Sequence, residues 1–217
     1  CQLLVMTIAL LFISNNDRLF HERMKMEHLM KEKQYEKALE VGRKSLQTDS
    51  SLTMLRIACL NETGQLGSDL FNYPLVGGSE AMMPNGTSVK AMMWKYPGWM
   101  NKPSAWMVKH HLKYKIPVDY QLCALLLDRK IDDFVRQVGK YYNIESGKLP
   151  THYKEALVLY CHLRSHPIFE YHENVMDADY QDYQTMEAKY ANPVERQSAL
   201  HDTYGNTYWY YYQYGSK

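Results

Sequence analysis

A chain of 217 residues is long enough for one well-buried domain, or for about five to six helical hairpins of roughly 34 residues each, and cramped for two globular domains. Lys and Arg number 25 against 24 Asp and Glu, a formal charge of +1, so no broad positive field exists to gather nucleic acid or anionic lipid, and no nucleic-acid partner is expected. The four cysteines, Cys1, Cys59, Cys123 and Cys161, form no C-x-x-C pair, and the last three stand among apolar helical residues, the pattern of buried thiols. Spacing alone neither pairs nor separates them, so the redox compartment stays open.

The chain opens with Cys, which reads as a fragment or a processed product. Residues 3–13, LLVMTIALLFI, carry no charge, and at eleven residues they fall short of the ~20 that span a bilayer. A transmembrane helix cut short, a signal-peptide core and a buried domain helix compete for this run. No basic segment precedes it and no small-residue cleavage site follows, which favours the truncated membrane helix and a membrane-associated protein. Arg18, Arg23, Lys25, Lys31 and Lys33 follow, a weak hint of a cytoplasmic flank, but with one flank missing the side of the membrane stays open.

Residues 31–46, KEKQYEKALEVGRKSL, place Tyr35, Ala38, Leu39, Gly42 and Leu46 on one helical stripe, and residues 17–30 offer Leu19, Met26, Leu29 and Met30 to cover it. The short polar run 31–34 folds the two into an antiparallel hairpin. Asp49 and Ser50 cap a helix over 52–62 that is apolar on two sides, Gly64 ends it, and a further helix begins at Leu66, 31 residues after Tyr35. From 72 to 104 Pro and Gly punctuate the chain, leaving room for one short helix at 88–96. This stretch is rich in large soft side chains, which pack a loop onto the helices or line an adaptable groove for a partner. Two glycosylation sequons, at Asn61 before this stretch and Asn85 within it, carry no weight outside a secretory setting.

Helices are predicted again over 104–114, from Pro117 to Asp128, and over 131–142, where Ile131, Phe134, Val135, Val138 and Tyr142 repeat the opening stripe 96 residues on. A helix over 153–163 stops at His166-Pro167, a polar helix follows with Met176, Tyr180, Tyr183 and Tyr190 on one side, and a short one runs to His201. The tail holds seven aromatics in the eleven residues 204–214. Such rings cap a last helix, sit at a bilayer surface, or stack on sugars or bases.

The spacing of Tyr35, Ala38 and Leu39, with Ser45 beyond, resembles a tetratricopeptide repeat, although Asp69 and Phe134 stand where later units want the small residue. Through LNETGQLGSDLFNYP (60–74), YKEALVLY (153–160) and NTYWYYYQYG (206–215), the whole chain is similar to the soluble carboxy-terminal part of an uncharacterised, Bacteroidetes-type bacterial membrane protein family. That resemblance implies a membrane-embedded region before Cys1 and no known activity.

Few residues suggest chemistry. His162 and His166 share a helical face but have no Glu beside the first and Pro167 at the helix end, so a structural role is favoured over a zinc site. Asp177, Asp179 and Asp182 lack the Gly and Glu of a calcium loop. Gly77-Gly78-Ser79 is no phosphate loop, His110 and His111 sit on a modest basic face, and no catalytic triad, cofactor site or metal site can be singled out. The expectation is therefore an all-α fold, an irregular stack of antiparallel helix pairs like a degenerate tetratricopeptide solenoid. It is organised as a hydrophobic helix (1–15), hairpins (16–74), a Gly/Pro/Met/Trp-rich connection (75–103), further hairpins (104–203) and an aromatic tail (204–217). The expected function is a non-catalytic scaffold binding a protein or peptide, with Met92, Met93, Trp94, Trp99, Trp106, Tyr208 and Trp209 as candidate partner contacts. The rival readings are a substrate-positioning accessory of a membrane enzyme or transporter and a glycan-binding domain.

Overall fold

The computed structural model describes residues 17–45, 47–101 and 115–215, so the uncharged run 3–13, Leu46, the helix expected over 104–114 and Trp106 lie outside the described residues. Ten α-helices and no strand occur among the described residues, the all-α class expected.

Helix α1 (Arg18–Lys31) starts where the Asp17 carboxylate accepts the Phe20 N–H at 3.2 Å, satisfying one of the free donors of its first turn. Helix α2 (Tyr35–Leu39) doubles back on it, and α3 (Ser50–Glu62) is capped by Asp49, which accepts from the Leu52 N–H at 2.8 Å. Helix α4 (Leu66–Asp69) tightens into a 3-10 turn at Leu70–Asn72. After the irregular segment 73–101 come α5 (Val118–Leu127), α6 (Ile131–Tyr141) and α7 (Thr151–Leu163). Helices α8 (Asn174–Lys189), α9 (Pro193–Tyr204) and α10 (Tyr208–Tyr214) complete the chain.

Three of the helix ends share one backbone geometry. The N–H groups of Gln34, Gln65 and Lys130 reach back to the carbonyls of Leu29, Leu60 and Leu125 at 2.9, 2.8 and 2.8 Å, and the residue before each is left-handed: Lys33 at φ 60°, Gly64 at 70° and Arg129 at 57°. This is the helix-terminating motif in which a left-handed residue lets two orphan carbonyls find donors. The next helix begins two residues later each time, at Tyr35, Leu66 and Ile131. The 31- and 96-residue spacings from Tyr35 read from the sequence are therefore the spacings of a repeated turn.

Two expectations are corrected. The helix predicted over 31–46 ends at Leu39, because at Gly42 the backbone is left-handed (φ 64°) and a Cβ there would stand 2.5 Å from Glu22 Oε2. Ala38 and Leu39 are buried as the stripe requires, but Gly42 belongs to a turn. The helix proposed for 88–96 does not form, since the N–H groups of Val89, Lys90, Met92, Met93 and Trp94 all donate to side chains instead.

Helix α7 lies at the centre, touching α4, α6, α8 and α10. Tyr153, Ala156, Leu157, Val158, Leu159 and Tyr160 are all buried, and each of the larger ones contributes roughly 1.5–3 kcal/mol by leaving water. It meets α4 so closely that a Cβ on Gly67 would stand 2.8 Å from Pro150 Cβ and 2.9 Å from the Tyr153 ring. The buried imidazole of His152 joins three parts of the chain: Nε2 accepts the Phe71 N–H at 3.2 Å, and Nδ1 donates to Glu155 at 2.9 Å. Glu155 in turn accepts the Tyr208 N–H at 2.7 Å, so α7, the turn after α4 and the start of α10 are locked by one polar chain.

Candidate functional site

The segment 73–101 has few backbone partners of its own, and its course is set by polar side chains reaching out of the helices. The carboxylate of Glu27, fully buried on α1, accepts the N–H groups of Met92 (2.8 Å to Oε2), Met93 and Trp94 (2.9 Å). From α3, Ser51 Oγ donates to the Ser88 carbonyl and accepts the Lys90 N–H, while Thr53 Oγ1 accepts the Val76 N–H. The guanidinium of Arg56, also fully buried, donates to the carbonyls of Pro74 (2.8 Å) and Gly42 (3.4 Å) and to Thr48 Oγ1 (2.6 Å). Burial works against its charge, lowering its pKa, and Glu22 and Asp49 partly offset that.

At the end of α5 the Asp128 carboxylate takes both the N–H (3.0 Å) and the Oγ (2.8 Å) of Ser79. Partial burial opposes its ionisation, but these bonds and the Lys130 ammonium outweigh it and hold the carboxyl below the usual range. Inside the segment, Asn85 Oδ1 gathers the Thr87 and Val89 N–H groups, and its amide donates to Ser88 Oγ. The sequon asparagine thus organises a turn.

Pinned in this way, residues 79–85 and 98–101 form two walls over α5, enclosing a cleft of about 850 Å³. Met82, Met83, Met100, Trp99, Ile116 and Ala124 supply apolar surface, and the floor is Tyr120, whose ring meets the Trp99 ring edge-on at 4.7 Å. Glu80 is the only charged side chain among the described lining residues, and it is exposed and makes no ion pair with a described residue.

The structure separates the predicted partner contacts. Trp99 lines the cleft, Trp94 is half-buried beside Tyr96 at 6.3 Å, and Met92 and Met93 are 46% and 42% exposed outside it. Tyr208 and Trp209 are corrected: at 0% and 3% exposed they are core, with the Trp209 indole N–H donating to the Glu155 carbonyl at 2.8 Å. The tail is an amphipathic helix whose inner face is buried, held at its C-terminal end by Arg129, which donates to the carbonyls of Tyr211 (3.2 Å) and Gly215 and lies 5.5 Å over the Tyr211 ring. Met82, Met83 and Met100 belong to the soft side chains that the sequence marked as loop packing or groove lining; missed were Tyr120 and Glu80 as part of that surface, and Glu27, Ser51, Thr53, Arg56 and Asp128 as the residues that build it. The signal for the latter was polar residues on otherwise apolar helix faces.

His162 packs against Tyr180 at 4.7 Å, and no group of three or more His, Cys, Asp or Glu side chains placed to hold a metal ion occurs among the described residues. Burial pushes the thiols of Cys59 and Cys123 well up, away from the thiolate form. No described helix is long and apolar enough to cross a membrane.

Fold and cleft together define an all-α domain with an apolar recess bounded by a side-chain-pinned loop. The chain belongs to DUF6057, a family of unknown function, which it matches over residues 100–215. Comparison with curated proteins and with solved structures finds no match. The matched part begins at the cleft wall and runs through α10, so the cleft lies on the seam between it and the part that precedes it.

Proposed function

We propose that this chain is a non-catalytic binding module that holds an apolar anchor of a protein or peptide partner in the Met82/Trp99/Tyr120 cleft, with a basic residue of the partner beside Glu80. The observation that carries it is a recess of about 850 Å³ lined by thioether and aromatic groups, with the Glu80 carboxylate in its lining making no ion pair to a described residue. Flexible thioethers adapt to more than one anchor shape, and a volume in this range suits a few side chains. The turn repeated at Lys33, Gly64 and Arg129 supports reading the helices as a degenerate, tetratricopeptide-like array, a common frame for peptide binding. The uncharged run 3–13 supports a place beside a membrane.

The test is fluorescence polarisation with short peptides carrying Leu or Phe anchors flanked by Lys or by Glu. The Lys-flanked peptide should bind about three- to fivefold more tightly at low salt, the margin of an exposed charge pair. Ala124→Trp, which fills the recess, should abolish binding. Absence of binding, or binding indifferent to Ala124→Trp, overturns the proposal.

A further inference from the structure

A second hollow, of about 710 Å³, lies where the outer face of α10 meets residues 71–76, and its chemistry differs from that of the first. Tyr210 and Tyr214, four residues apart on α10, stand 5.2 Å apart with their rings tilted by 34°, forming one aromatic wall. Tyr73 contributes to the opposite wall. The hydroxyls of Tyr73, Tyr210 and Tyr214 and the amide of Gln47 make no hydrogen bond to a described residue, and His201, also in the lining, is exposed. Apart from that imidazole, no ionisable acid or base other than tyrosine is present among the described lining residues. The hollow continues into a neighbouring one of about 550 Å³ that shares Phe71, Tyr73, Pro74, His201 and Gly205, which makes a groove longer than one ring.

Aromatic faces with unused hydroxyl and amide groups, beside an imidazole whose Nδ1 faces Asp202 at 3.8 Å, suit a ligand that is apolar on its ring faces and polar around its rim. The first hollow has no Lys, Arg, Asp or Glu among its described lining residues, and in the extension, which also holds Lys44, Arg43 is paired with Glu40 at 2.8 Å and Asp202 faces His201 at 3.8 Å, so the stacking wall itself favours an uncharged ligand, while the unpaired hydroxyls and amide argue against a purely apolar one. We infer that this groove is a binding site for a neutral oligosaccharide, stacked on Tyr210 and Tyr214 and hydrogen-bonded by Gln47 and His201. It is independent of the Met82/Trp99/Tyr120 cleft, with which it shares no lining residue.

The experiment is an amide NMR titration of the whole chain with neutral gluco-, manno-, galacto- and chito-oligosaccharides, each paired with a charged counterpart where one exists. The expected result is saturable shifts at residues 47, 201, 210 and 214 with at least one neutral sugar. Tyr214→Ala should weaken that affinity by about tenfold. Gln47→Ala, at an exposed loop position, should weaken it without touching the core, and carries the test if Tyr214→Ala does not fold. Trp99→Ala should leave it unchanged. No saturable shift with any neutral sugar, preference for the charged counterparts, or binding untouched by Tyr214→Ala and Gln47→Ala overturns the inference.

Discussion

Replacing Glu27 by Gln keeps the size of the side chain and removes its charge. In the native chain one carboxylate oxygen receives the N–H groups of Met92, Met93 and Trp94, and the other shares that of Met92. The amide has a single, uncharged acceptor oxygen, and its NH₂ group faces the Met92 N–H, donor against donor, so the three part-buried N–H groups are left with a weaker acceptor. A hydrogen bond to a charged group contributes about 1.5–3 kcal/mol against about 0.5–1.5 kcal/mol for a neutral one, and weakening three of them puts Glu27→Gln at roughly 2–4 kcal/mol. The loss falls on the loop, because α1 remains packed through Met26 and Met30. Hydrogen exchange followed by mass spectrometry should therefore show peptides covering 92–94 losing protection by about two orders of magnitude, while α7 peptides change little. Peptide binding in the adjacent cleft should weaken with it. Unchanged protection at 92–94 would refute the view that buried side chains set the course of this segment.

Lys33 and Arg129, the two left-handed non-glycine residues among the described ones, should respond oppositely to the same substitution. Lys33→Gly relieves a strain of about 1–2 kcal/mol against about 0.5–1 kcal/mol of added chain entropy, and should raise the melting temperature by about 1–4 °C in differential scanning fluorimetry. Arg129→Gly gains the same relief but loses the guanidinium bonds to the end of α10, so it should lower stability by about 1–2 kcal/mol in urea unfolding. Gly67→Ala forces a methyl into the contact between α4 and α7 and should cost about 1–3 kcal/mol in the same urea measurement. Cys59 and Cys123, buried and held protonated, should resist iodoacetamide at neutral pH in peptide-level mass spectrometry and react once the chain is unfolded, with half-buried Cys161 modified first among the three.

The helices were legible because their signals are local. Asp49 before an apolar run, Pro117 at a helix start, and the stripe Ile131, Phe134, Val135 and Val138 each act within a turn or two of chain, and these four are buried as their spacing requires, whereas Tyr142, the fifth of that stripe, turns out of the helix as its half-buried cap. Gly42 misled because a small residue at i+7 fits a helical stripe and a left-handed turn equally well, and only the nearness of Glu22 decides between them. The cleft was half legible: abundance of Met and Trp marked the segment, but which of them face inward depends on Glu27, Ser51 and Asp128, which lie 37 to 67 residues away from the groups they hold. No pattern within the segment carries that information. The aromatic tail was legible as rings that cap a last helix, while the helix they form themselves and the burial of Tyr208 and Trp209 follow from the partners Glu155 and Leu127 offer to them.

The most direct test of the proposed binding site uses the methionines as reporters, since Met82, Met83 and Met100 line the cleft whereas Met92 and Met93 stand outside it. With methyl-¹³C methionine in the chain, adding a Lys-flanked apolar peptide should shift the methyl resonances of Met82, Met83 and Met100 saturably and leave those of Met92 and Met93 in place. Shifts confined to Met92 and Met93, or none at any of the five, would contradict it.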